Sequence, residues 1–217
     1  MISNCVNFVL QSSDTMTPAT LDDFRTSENY KAFIDNALPE INRAIQQIAL
    51  QEKIPVQAQE YSCNAKNKSN FLHLKLSDIE DKNFSVRRIF KVEFLYEDYS
   101  FTLPYRRVKN EIIVTNPKLD GIILLRYFPK PRLLTLEDIQ NYNFGGGDES
   151  TDLNDLGIDD TMCSDVIPYL VKGVLWQETE PELAQVEYNK GLNNLEYLPR
   201  GDEYEPDQER VQIIEGW

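Results

Sequence analysis

From Tyr30 onward, apolar residues recur in steps of three and one through Phe33, Ile34, Ala37, Leu38, Ile41, Ala44, Ile45, Ile48 and Ala49. That spacing collects them on one side of a helix, so a long amphipathic helix is expected between Ser27, placed as its N-cap, and a stop at Ile54-Pro55. Pro39 should kink this helix or divide it in two, because proline lacks the N–H and crowds the carbonyl four residues earlier. A shorter helix over 19–25 is expected before it, following Thr17-Pro18.

The period then becomes two. Leu72, Leu74 and Leu76 alternate with His73 and Lys75, and Phe90, Val92, Phe94 and Tyr96 are separated by Lys91, Glu93 and Leu95, which reads as two half-buried strands. Further short strands are expected over 101–105, 111–115 and 121–128, parted by turn signals at Asn110, Asn116-Pro117 and Asp120-Gly121. Strands without intervening helices predict an antiparallel meander, not a βαβ arrangement.

After Pro129-Lys130-Pro131, residues 141–160 pass through Gly145-Gly146-Gly147 and several acids with little apolar content, so a loop is expected there. Helical spacing resumes at Val166, Ile167, Leu170, Val171, Val174 and Leu175, breaks at Thr179-Glu180-Pro181, and continues through Leu183, Ala184, Tyr188, Gly191, Leu192 and Leu195. Proline suits a first helical position, so Pro181 should open the second arm of an αα-hairpin that Pro199 ends. The last stretch is acidic through Glu209 and then apolar at Val211, Ile213, Ile214 and Trp217. Such an end packs on its own domain or docks on another chain, and the charged spacer before it favours docking.

Charge sharpens this division. The net charge of -14 conceals 4 basic and 7 acidic side chains in residues 1–53, 14 and 9 in residues 54–133, and 4 and 20 in residues 134–217. A chain this acidic is a poor wrapper of nucleic acid, whose affinity comes largely from cations displacing counterions. Opposite charge on two parts of one chain permits complementary contact within a subunit or between neighbours, beside the plainer reading of a solvated acidic surface. With 41% hydrophobic and 27% charged residues the chain should fold. No run approaches the ~18 apolar residues of a membrane span, and the N-terminus lacks a secretory pattern, so a soluble protein made in a cytoplasm is expected. Cys5, Cys63 and Cys163 are odd in number and far apart, which supports neither a disulfide framework nor a zinc site.

Catalytic patterns are lacking. His73 is the one histidine and sits on the polar side of a strand with no nucleophile motif around it. The triglycine is not followed by Lys-Ser or Lys-Thr as a phosphate loop requires. Asp148, Glu149, Asp152, Asp155, Asp159 and Asp160 do not have the ligand spacing of an EF-hand. They are candidates for an acidic channel or partner surface. Arg87, Arg88, Arg106, Arg107 and Lys109, among aromatics, are candidates for a basic inter-subunit surface or, alternatively, for nucleic-acid binding or another protein interaction. Val211, Ile213, Ile214 and Trp217 are the candidate docking residues. No cofactor, metal or enzymatic activity is expected.

Three phrases carry a resemblance: Ile41-Asn42-Arg43-Ala44-Ile45-Gln46-Gln47-Ile48-Ala49, then Arg88-Ile89-Phe90-Lys91-Val92-Glu93-Phe94 leading to residues 121–131, and Val166-Ile167-Pro168-Tyr169-Leu170 with Leu175-Trp176-Gln177-Glu178-Thr179-Glu180-Pro181. In order and kind, residues 28–198 resemble the head-to-tail connector (adaptor, or neck) proteins of tailed bacteriophages. The long acidic loop and the extended tail depart from that pattern. The resemblance implies a virion protein in a homo-oligomeric ring of about a dozen copies. The ring would sit beneath the portal, contact the next tail or neck protein, and pass DNA through its channel without specific binding or catalysis.

The expected fold is α+β: a small helical bundle, made of the long N-terminal helix and the C-terminal αα-hairpin, with an inserted antiparallel β meander and an extended C-terminal tail. The expected divisions are an N-terminal helical part (1–54), an inserted β module (55–133), an acidic loop (134–163), a C-terminal helical hairpin (164–198) and a docking tail (199–217).

Overall fold

The computed structural model describes residues 28–79, 84–135, 138, 156–203 and 211–213. The expected helix over 19–25 and most of the expected loop over 141–160 lie outside these. The protein is mixed α+β, and the chain divides into two compact units: residues 1–53 with 133–198, and residues 54–132 with 199–217.

In the helical unit, α1 (Glu28–Leu50) buries Ile34, Ala37, Ile41, Ala44, Ile45 and Ile48. It runs through Pro39 as one helix, so of the kink or division expected there the division does not occur. Pro39 lies on the exposed side, where water can satisfy the carbonyl the proline leaves unpaired. Glu52, at φ 59°, ends the helix in a left-handed turn. The Lys53 N–H bonds the Ile48 carbonyl and the Glu52 N–H the Ala49 carbonyl, the pair of bonds that closes a Schellman cap. The Asn42 amide then grips the backbone of Leu134, donating to its carbonyl at 2.9 Å and accepting from its N–H at 2.8 Å.

The last part of the expected acidic loop is not a loop. Leu156, Ile158, Met162 and Cys163 are buried, and a helical turn begins at Asp160. It widens into a π-helical turn (Met162–Val166) before α2 (Ile167–Leu175). Pro168 supplies the reason: without an N–H it cannot bond four residues back, and its ring would strike that carbonyl. The backbone widens so that the Ile167 N–H reaches the Met162 carbonyl instead. Pro181 occupies the first turn of α3 (Pro181–Tyr197), which packs along α2. A Cβ on Gly173 would stand 2.4 Å from Tyr188 Cβ, and one on Gly191 2.9 Å from the Leu170 backbone nitrogen, so the hairpin closes only because both positions are glycine. Lys53 caps the far end of α3, its ammonium donating to the carbonyls of Glu196 and Leu198.

The β unit contains β1 (Gln57–Cys63), β2 (Phe71–Lys75), β3 (Phe84–Tyr96), β4 (Tyr99–Thr102), β5 (Tyr105–Val108), β6 (Glu111–Thr115), β7 (Gly121–Pro131) and β8 (Val211–Ile213). They form a five-stranded sheet, β4-β3-β7-β1-β8, and a three-stranded sheet, β2-β6-β5. This corrects the meander: β7 pairs with β3 and β1, and β2 with β6, all antiparallel. The expected strand over 101–105 is two strands in different sheets. Proline cannot donate to a ladder, so the chain crosses over at Leu103-Pro104, where the Leu103 N–H bonds the Val92 carbonyl. β1 was not expected as a strand at all. Gln57 and Gln59 are as buried as their apolar neighbours, so its sequence hides the alternation.

One core joins the two sheets: Tyr61, Leu74, Val92, Phe94, Ile112, Val114, Ile123 and Leu125 are among its buried members. Burial, with Asp78 and Tyr127 adding to it, pushes the Tyr61 phenol well above its ordinary range, so it stays neutral there. Two register shifts in β3, between Val86 and Arg88 and between Ile89 and Lys91, bend the strand. Of the two readings of the last segment, packing on its own domain or docking on another chain, part of it takes the first. The Val56 N–H bonds the Gly201 carbonyl, and the backbone of β8 runs parallel to β1, Ala58 opposite Val211 and Glu60 opposite Ile213.

Candidate interaction surfaces

The three-stranded sheet turns Leu72, Leu74, Ile112 and Val114 inward, so strand alternation sends Phe71, His73, Lys75, Glu111, Ile113 and Thr115 to its outer face. Arg106 stands opposite Ile113, and Val108 opposite Glu111, on the same side. Phe71 is 54% exposed. A cleft of about 500 Å³ opens here, lined by Phe71, His73, Pro104, Tyr105, Arg106, Ile113 and Thr115. His73 Nδ1 lies 2.9 Å from a Glu111 carboxylate oxygen, and the Tyr105 hydroxyl donates to the Ile89 carbonyl at 3.3 Å. Arg106 is therefore the cation this cleft presents.

The five basic candidates do not share a surface. Arg106 and Arg107 are consecutive in a strand and point to opposite faces. Arg107 donates to the Arg87 backbone carbonyl at 3.4 Å, on the side away from His73. The Arg88 guanidinium lies 4.7 Å from the Phe128 ring centroid, and Phe90 meets the same ring edge-on at 5.6 Å. Lys109, at φ 52°, is exposed at the tip of the β5–β6 hairpin. Among the acids, Asp159 accepts a 2.8 Å bond from the Met162 N–H and so caps the helical turn, while Asp160 is exposed beside it. Asp148, Glu149, Asp152 and Asp155 lie outside the described residues. So do Ile214 and Trp217, whereas Val211 and Ile213 belong to β8.

Two polar clusters were not anticipated. Glu93 is nearly buried on β3, where one oxygen receives Lys91 at 2.6 Å and Ser100 at 3.0 Å, and the other Arg126 at 3.0 Å. Burial raises its pKa, but the bonds from Lys91, Ser100 and Arg126 outweigh that and hold the carboxyl below its ordinary range. On the helical hairpin, Lys172 is buried 5.5 Å from the Tyr169 ring centroid and 5.2 Å from that of Trp176, with Glu187 at 3.7 Å. Lys190 also stands over Tyr169, its ammonium 4.0 Å from the ring centroid. A sequence signal existed: Lys172 is the lone cation in the apolar run 166–175, with aromatics three residues before and four after it. A second cleft, of about 440 Å³, lies on the helical unit between Arg43, Gln177, Gln185 and Tyr188.

Among the described residues no group of three or more His, Cys, Asp and Glu side chains could hold a metal ion, and no helix is long and apolar enough to cross a membrane. Comparison of the sequence with protein-family models and with curated proteins finds no match in either.

Proposed function

We propose that the protein is a structural subunit of a tailed-phage virion, forming a ring at the head-to-tail joint. The ring docks beneath the portal, extends the DNA channel and links the capsid to the next tail or neck protein. In this reading the long helix and the αα-hairpin are a small bundle, the β unit is its insertion, and the end of the tail, with Ile214 and Trp217, docks on the portal or on a neighbouring subunit. About a dozen copies close the ring through heterologous contacts.

The observation that carries the reading is how the phrases behind the resemblance are used. Ile167-Pro168-Tyr169-Leu170 and Leu175-Trp176 build one arm of a hairpin closed by two glycines, and the β segments between form an insertion with its own core. Such a chain offers surfaces from two separately packed bodies. The acid-rich helical unit suits a channel wall, because negative charge repels DNA phosphates and lets them slide.

Electron microscopy of particles containing the chain tests the proposal. A ring of it at a single vertex is the expected result, and its absence from that vertex overturns the reading. A chain ending at Ile213, which keeps β8, should fold and yet fail to join particles. Normal incorporation would remove the tail from the docking contact.

A further inference from the structure

We infer that the outer face of the three-stranded sheet is where the acidic helical unit of a second copy docks. The inference rests on the assembly role proposed above and names the surface through which it works.

The face combines features that water alone does not favour. Phe71, Ile113 and Val108 put apolar area on the solvent side of an otherwise regular sheet, and Arg106, Lys75 and Lys109 surround it with positive charge that Glu111 only partly offsets. With His73 paired to Glu111, the cleft has one cation above a largely apolar floor. That is too few directed polar groups to orient a small ligand, and it matches a protein surface on which acids border an apolar stripe.

The chain itself carries such a surface. Residues 1–53 and 133–198 hold 6 basic and 21 acidic side chains, whereas the β unit holds 16 and 15, its positive charge confined to residues 54–132 with 14 basic and 9 acidic. On α3, Leu183, Val186 and Tyr197 are exposed and fall within one stripe of the helix, Tyr197 at 88%. Glu182 and Glu196, also exposed, run along one side of that stripe. Lys190 is the base along it, and its ammonium stands over the Tyr169 ring. Apolar area meets apolar area, and acids meet Arg106 and Lys75. Because one face is on the β unit and the other on the helical unit, the contact is heterologous, the kind that repeats from copy to copy and closes a ring when the rotation permits.

Sedimentation velocity of the full chain at low salt, over a range of concentrations, measures this contact. Arg106→Glu should weaken self-association at least about tenfold, and Glu182→Arg with Glu196→Arg should do the same. An equimolar mixture of the two variants should recover association that neither shows alone, a result only an intermolecular contact gives. Circular dichroism of each variant checks that it folds. Phe71→Ser, which leaves every charge in place, should also weaken the contact. Wild-type protein that stays monomeric throughout overturns the inference, as do variants that associate like wild type or a mixture that recovers nothing. A fluorescent single-stranded oligonucleotide that binds wild type and is lost with Arg106→Glu assigns the face to nucleic acid instead. The particle images decide the proposed function separately: a ring at one vertex with an unaffected Arg106→Glu variant would refute this face alone.

Discussion

In the helical unit two backbones approach so closely that only glycine fits, Gly173 against Tyr188 and Gly191 against Leu170. In the β unit the interior is filled instead by large side chains from two sheets, with Phe94, Ile112, Ile123 and Leu125 almost wholly buried. The first interior is limited by contact distance and the second by volume, so the two should fail under opposite changes. Their surfaces differ too. The helical unit is strongly acidic and the inserted strands are basic, the contrast on which the proposed contact between copies draws.

The sharpest way to break the comparison is to empty the β interior. Phe94→Ala should cost about 3–5 kcal/mol, because the ring's burial is lost and a cavity is left between sheets that cannot collapse on it. Urea unfolding followed by far-UV circular dichroism reads this loss, and a cost below 1 kcal/mol would mean the sheets close up freely. Filling the helical interior is the converse. Gly173→Ala adds one methyl and should cost about 1–3 kcal/mol, since the Tyr188 backbone must move away. The same alanine in an open helix would stabilise it. Thermal unfolding of the variant distinguishes the two signs.

The smallest effect depends on pH. Glu93→Gln keeps the shape but loses the charge that Lys91 and Arg126 meet, and should cost about 1–2 kcal/mol near neutrality. The folded pKa of Glu93 lies below its unfolded value. The stabilisation is therefore complete well above the unfolded pKa and fades as pH falls toward the folded one. The gap between wild-type and variant urea midpoints should narrow on acidification. A gap that widened would mean that folding raises the Glu93 pKa instead of lowering it.

Much of the helical unit was legible from local pattern. The buried stripe of α1, the two arms of the hairpin and the start of α3 at Pro181 follow from periodicity and from where proline is tolerated. The π-helical turn before α2 follows from Pro168 only once the neighbouring turns are known to be helical. In the β unit β6 was legible in full and β2, β3 and β7 in part, while β1 was hidden by its buried glutamines and β4 and β5 were fused by an unbroken apolar spacing. Of the candidate surfaces, the arginines were legible as a group, but a shift of one position along β5 sends Arg106 and Arg107 to opposite sides.

By itself the sequence determined what short stretches of chain decide: which residues repeat with a helical or an extended period, where a proline opens an element, and how unevenly charge is distributed. Tertiary structure decided which strands pair, in two sheets and not one meander, and which polar groups are buried, such as Glu93 and Lys172. The physical reason is range. Backbone preference and periodicity act within a turn or a strand, whereas pairing and burial depend on groups as far apart as Glu93 and Arg126 in sequence, whose worth appears only when folding takes them out of water together.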